Sequence, residues 1–259
     1  MPAQLISTSE GQTMVLTLSN PEHRNALGPE MYAAGVEALG AADANPEVRS
    51  VIITGEGGIF SAGGNLQRLQ NNRQQPPEVQ AQSIEGLHSW IEAIRTFPKP
   101  VIAAVEGPAA GAGFSLALAC DLIVSAVNSV FVMAYSSIAL SPDGGGSWSL
   151  SRLMPRQLAT ELLMCGERTS AERLHALGLV NRLSNPGDAL GTALQLADRL
   201  NQRAPNALAS IKELLSDAAH QTLSQHLNSE RDHFVKNLHH PNAGEGIAAF
   251  LEKRAPRYE

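Results

Sequence analysis

Three runs of β-branched residues, each stopped by a turn signal, constrain the fold more than any other feature: "MVLTLSNP" (14–21), "SVIITGEGG" (50–58) and "VIAAVEGP" (101–108). Each reads as a largely buried strand, and "LIVSAVNSVFVMA" (122–134) supplies one or two more. Helical patterns lie between them. "GPEMYAAGVEALGAADA" (28–44) is one, and "QSIEGLHSWIEAIRTF" (82–97) puts Ile84, Leu87, Ile91 and Ile94 on one face at helical spacing. Strands alternating with helices predict an α/β fold. After about residue 195 the strand patterns stop and four helical segments follow, so the chain divides into a core over 1–195 and a helical C-terminal oligomerisation subdomain over 196–259, whose apolar positions exceed what covering their own core needs. The segment "QNNRQQPPEVQ" (70–80) is polar with paired prolines and reads as a mobile surface loop.

Composition narrows the function. With 259 residues, 43% hydrophobic and 17% charged, the chain can bury a large core in one or two domains. Its net charge of −6 and the lack of any basic run argue against a nucleic-acid surface, so an anionic ligand must be met by local groups. Cys120 and Cys165 stand apart with no CxxC spacing, which supports neither a disulfide framework nor a zinc site and suits a reducing cytoplasm. No metal is expected, and His239–His240 has no metal-ligand spacing. The start "MPAQLISTSEGQTMVL" lacks the basic and apolar regions of a secretory signal. The apolar stretch 101–124 is interrupted by Glu106, Pro108 and Asp121, so no membrane span is expected.

Two stretches join a buried strand to a patch of small residues: "GIFSAGGNL" (58–66) and "VEGPAAGAGFSLALACD" (105–121). Small residues let a ligand approach the backbone closely, and those of the second patch open a helix whose first amides are unpaired. Such patches can form an oxyanion hole, or they can merely let a helix pack tightly on a sheet. The GxxxGxG of 107–113 is not the dinucleotide fingerprint. Asp143, in "IALSPDGGGSW" (138–148), invites a plain reading as the cap of a helix "SWSLSRL" or the hinge of a tight turn.

The chain resembles the enoyl-CoA hydratase/isomerase (crotonase) superfamily over essentially its whole length. Five segments in order carry the resemblance: "LSNPEHRNAL" (18–27), "VIITGEGGIFSAGGNL" (51–66), "FPKPVIAAVEGPAAGAGFSLALACDLIV" (97–124), "IALSPDGGGSWSLSRLMPR" (138–156) and "AFLEKRAP" (249–256). It implies a ββα spiral core with a helical C-terminal region, assembled as a homotrimer or dimer of trimers. It also implies an acyl-CoA thioester as substrate, coenzyme A being part of that substrate and no further cofactor needed. The oxyanion amides fall on Gly64 and Ala112, flanked by Ala62 and Asn65. His23, Arg24, Phe250 and Lys253 match positions that reach CoA.

Two departures from the family pattern matter more than the matches. Family hydratases carry a glutamate two residues after the last glycine of the second segment and another seven residues before the turn proline; here these positions are Ser115 and Tyr135. Hydration needs one group to activate water and another to manage the α-proton. Family members with a PDxG turn include isomerases that use its aspartate as a base, which puts Asp143 forward as the one carboxylate for a double-bond shift. The apolar "SSIAL" before it predicts a desolvated carboxylate. Ser115 and Tyr135 are then candidate acyl-pocket residues, although Tyr135 also suits a packing role. A hydratase, a hydrolase or dehalogenase in which Asp143 attacks the acyl group, and an acyl-CoA-binding protein without catalysis are the competing readings.

Overall fold

The computed structural model describes residues 3–259. Its elements follow in the order β1 (Gln4–Glu10), β2 (Thr13–Ser19), α1 (Pro29–Ala44), β3 (Ser50–Gly55), α2 (Leu66–Asn72), α3 (Pro77–Thr96), β4 (Val101–Val105), β5 (Pro108–Ala110), α4 (Ala112–Ala119), β6 (Leu122–Ala126) and β7 (Val130–Val132). Then come α5 (Gly146–Leu153), α6 (Arg156–Cys165), β8 (Thr169–Ser170), α7 (Ala171–Ala176), β9 (Arg182–Ser184), α8 (Ala189–Asn201), α9 (Pro205–Asp217), α10 (Leu223–Leu238) and α11 (Pro241–Glu252). The main sheet runs β1-β2-β3-β4-β6-β9, antiparallel only between β1 and β2. β5, β7 and β8 form a second, smaller sheet. This is the α/β, ββα spiral architecture expected from the sequence, with helices after β9.

Side chains alternate across the main sheet. Leu16, Leu18, Val51, Ile53, Ala103 and Val105 face a core shared with α1, α3 and α4, while Val15, Ile52, Ile102, Ala104 and Val124 face the other side, which α8 covers with Ala193, Leu196 and Ala197. A strand buried on both faces has no polar side to show, which is why these runs read as continuously apolar. Residue 195, where the sequence divides the chain, lies inside α8, so the first of the C-terminal helices packs on the sheet.

The polar stretch 70–80 is not the loop its composition suggests. α2 runs to Asn72 and α3 begins at Pro77, leaving only 73–76 between them. Pro77 occupies the first helical position, where a missing N–H costs nothing, and the Asn65 side chain caps α2 by accepting from Arg68 N at 3.0 Å. The apolar stretch 101–124 breaks into β4, β5, α4 and β6, and no described helix is long and apolar enough to cross a membrane. Glu106, which interrupts that stretch, accepts from Ala189 N at 2.9 Å and so places its charge at the N-terminus of α8.

Candidate active site

β3 and β4 are parallel neighbours, Val51 opposite Val101 through Thr54 opposite Ala104, so both chains leave the sheet at the same end. The segment after β3 then runs alongside β5: Ser61 N donates to Pro108 O (3.1 Å) and Ala110 N to Ser61 O (2.9 Å). The two glycine-rich segments meet at Gly63. Its φ is +88°, and a Cβ there would stand 2.5 Å from Ala110 O and 3.3 Å from Ala112 N. One residue on, the Gly64 N–H has no acceptor among the described residues, and neither has that of Ala112, the first residue of α4. Both amides named from the sequence are therefore unpaired and on adjoining backbone, with the positive end of the α4 dipole beside them.

A third segment is stapled to this pair by a residue the sequence reading missed. Arg24 and Asn25 take left-handed backbone (φ +51° and +56°), a conformation asparagine tolerates better than most residues. The buried Asn25 side chain accepts from Asn20 N (3.0 Å) and donates to Glu56 O (2.8 Å) and Ile59 O (2.7 Å), while the Asn25 main-chain carbonyl accepts from Ser61 Oγ (2.8 Å). Ala62 N donates to Arg24 O (3.0 Å) and Leu27 N to Gly63 O (2.7 Å). His23, Arg24, Ala62 and Gly64 thus lie in one neighbourhood, with His23 and Arg24 exposed. The available signal was an asparagine at the bend of "EHRNAL".

Asp143 is not a helix cap. Gly145 stands at the cap position of α5, in left-handed backbone and with no side-chain bond to the helix. The Asp143 carboxylate instead accepts from Tyr135 OH, 2.6 Å from Oδ1, and its main-chain carbonyl accepts from Ser115 Oγ (2.9 Å) and Gly146 N (3.2 Å). Tyr135 is buried, and burial first, then the Asp143 charge, push its phenol well above the usual tyrosine range, so it remains a donor. Ser115 is 1% exposed and does not line an open pocket. The glycine turn covers it: a Cβ on Gly144 would sit 3.1 Å from Ser115 Cβ, and one on Gly146 2.6 Å from its Oγ.

The apolar residues before Asp143 do not wrap it. Ser136–Ile138 form a single 3-10 turn ended by left-handed Ala139, which turns Ile138 and Leu140 outward and leaves Asp143 half-buried. Ile138 and Leu140 join Leu66, Leu69, Ala81 and Ile84 along a groove of about 670 Å³ between α2 and α3. Leu69 connects this groove to the Gly64 segment, its Cδ1 lying 3.8 Å from where a Gly64 Cβ would be. Asn65 borders the same segment, its side chain committed to capping α2. Phe250 and Lys253 lie on or at the end of α11, which packs on α10, and among the described residues no hydrogen bond joins either to the cluster.

The family model described as enoyl-CoA hydratase/isomerase matches residues 8–259. The chain is 35% identical over 255 residues to a 1,2-epoxyphenylacetyl-CoA isomerase of Escherichia coli, covering 98% of this chain and 97% of the relative. It is 36% identical over 257 residues to a putative enoyl-CoA hydratase of Thermus thermophilus, covering 98% and 100%. A crystal structure of an enoyl-CoA hydratase from Polaromonas sp. JS666 superposes with a TM-score of 0.98 at 72% identity, covering 98% of this chain and 99% of that one. A shared fold and a match along nearly the whole chain lead to one conclusion: the protein belongs to the enoyl-CoA hydratase/isomerase family of acyl-CoA-processing enzymes.

Proposed function

We propose that this enzyme shifts a double bond in an enoyl-CoA, with Asp143 as the single base and the Gly64 and Ala112 amides holding the thioester oxygen as an enolate develops. The observation that carries the reading is the setting of Asp143. It is a half-buried carboxylate fixed by Tyr135, while Ser115 and Tyr135 occupy the places where hydration would need two carboxylates. One base suffices to take a proton from one carbon and return it to another. The groove between α2 and α3 suits the apolar tail of the acyl group. The exposed side chains of His23 and Arg24, together with Phe250 and Lys253, are the proposed CoA contacts. The two latter residues reach a CoA in an assembly of copies, a homotrimer or dimer of trimers.

The test is incubation with 2-enoyl, 3-enoyl and aryl-CoA thioesters in deuterated water, read by mass. Deuterium incorporation without water addition or acyl release supports the isomerase; addition of water makes the protein a hydratase. Asp143→Asn should lower isomerisation by about 10²–10⁴-fold, the usual contribution of a general base, while thioester binding stays within a few-fold. A fully active Asp143→Asn variant overturns the reading.

A further inference from the structure

Two buried polar side chains beside the proposed base remain without a part in the reaction. Tyr135 and Ser115 come from different elements, and both direct their hydroxyls at Asp143, one to Oδ1 and one to the main-chain carbonyl. At 2.6 Å the phenol bond has the length of a charge-assisted O–H···O⁻ pair, about 2.5–2.7 Å. Among the described residues no donor reaches Oδ2. The turn itself is held by left-handed Gly144 (φ +57°) and Gly145 (φ +75°), with Gly144 against Leu87 and Ser115.

Resting on Asp143 as the base, we propose that Tyr135 and Ser115 are positioning residues that make it one-sided, fixing Oδ1 and the backbone so that Oδ2 alone carries the proton. The step balances without another reactant. A C–H bond of the acyl chain breaks as an O–H bond forms on Oδ2, and the electron pair moves to the thioester oxygen between the Gly64 and Ala112 amides. The O–H bond then breaks to return a proton to a different carbon, the pair moves back, and Asp143 ends as it began. Tyr135 keeps its own proton throughout. The backbone of Gly144 and Gly146 fills the space beyond Ser115, so the turn cannot drift toward α4.

Tyr135→Phe, Ser115→Ala and Asp143→Asn are to be compared on one thioester that the wild type turns over, with binding of its saturated analogue measured by calorimetry. A misplaced catalytic group costs up to about 10²-fold, so Tyr135→Phe should lower kcat by about ten- to a hundredfold while KM and analogue binding stay within about threefold. Ser115→Ala should show the same split with a smaller loss, because Gly146 N still holds the Asp143 carbonyl at 3.2 Å. It carries the test alone if Tyr135→Phe does not fold. Wild-type kcat in Tyr135→Phe overturns the proposal. So does a raised KM at unchanged kcat, which would make the phenol a substrate contact. An active Asp143→Asn overturns instead the base assignment on which the proposal rests, so the two failures are told apart.

Discussion

Adjacent glycines of "SAGG" have opposite tolerances. Gly63 has left-handed backbone and no room for a Cβ against Ala110 O, whereas Gly64 has neither a positive φ nor any neighbour closer than Leu69 at 3.8 Å. Gly63→Ala should therefore destabilise by at least the roughly 1–2 kcal/mol of a left-handed non-glycine residue and abolish exchange, because the segment carrying the Gly64 amide must shift. Gly64→Ala should stay within about 1 kcal/mol of wild type, and urea unfolding checks both. Equal costs at the two positions would refute the close approach. The sequence showed two patches of small residues, and only the family resemblance singled out Gly64 and Ala112 within them. It could not show the part of Asn25, three of whose bonds run to residues 31 to 36 positions away, or that Ser115 and Tyr135 converge on Asp143 from different elements.

Among elements, the inner strands were readable because burial on both faces gives continuous apolar runs, while polar, edge-lying β1 with its exposed "QLISTSE" was not. The two-residue β8 is also below any periodicity. The end of α11 offers a pH test. Glu245 accepts from Arg254 Nη1 (2.7 Å) and Nη2 (2.8 Å) and from Arg257 N (2.7 Å), and these bonds, Arg254 first, hold its carboxyl down at about 2. The folded value lies below the ordinary 4.5, so this support is present above pH 4.5 and is lost as pH falls toward 2. Protection of the Arg257 amide, its exchange rate taken relative to the intrinsic rate at each pH, should fall over that window, and in Glu245→Gln it should already be reduced at neutral pH. A flat profile in the wild type would show that the tail is held by other groups.

At the scale of the molecule, α9, α10 and α11 leave large apolar side chains in water: Leu215 at 73% exposure, Leu223 at 75%, Phe234 at 69% and Phe250 at 84%. Scattered exposed leucines need no explanation, but this concentration on one helical layer fits an interface between copies. Light scattering should give three or six times the chain mass. Phe234→Asp should weaken association by at least about tenfold, given roughly 1.5–3 kcal/mol for burying a phenylalanine. A monomer at micromolar concentration would remove the case for Lys253 and Phe250 serving a CoA. Helices and their apolar excess were visible in the sequence; what they cover was not, since periodicity names a face and not its partner. The sheet order bears on how the chain is made. Each of β2, β3, β4, β6 and β9 pairs with a strand already synthesised, so the sheet can grow as the nascent chain emerges from the ribosome. Its second face, with Val15, Ile52, Ile102 and Val124, has no cover until α8 is translated. Until then that face lacks the helix that buries it in the folded chain, so the sheet's second core closes late.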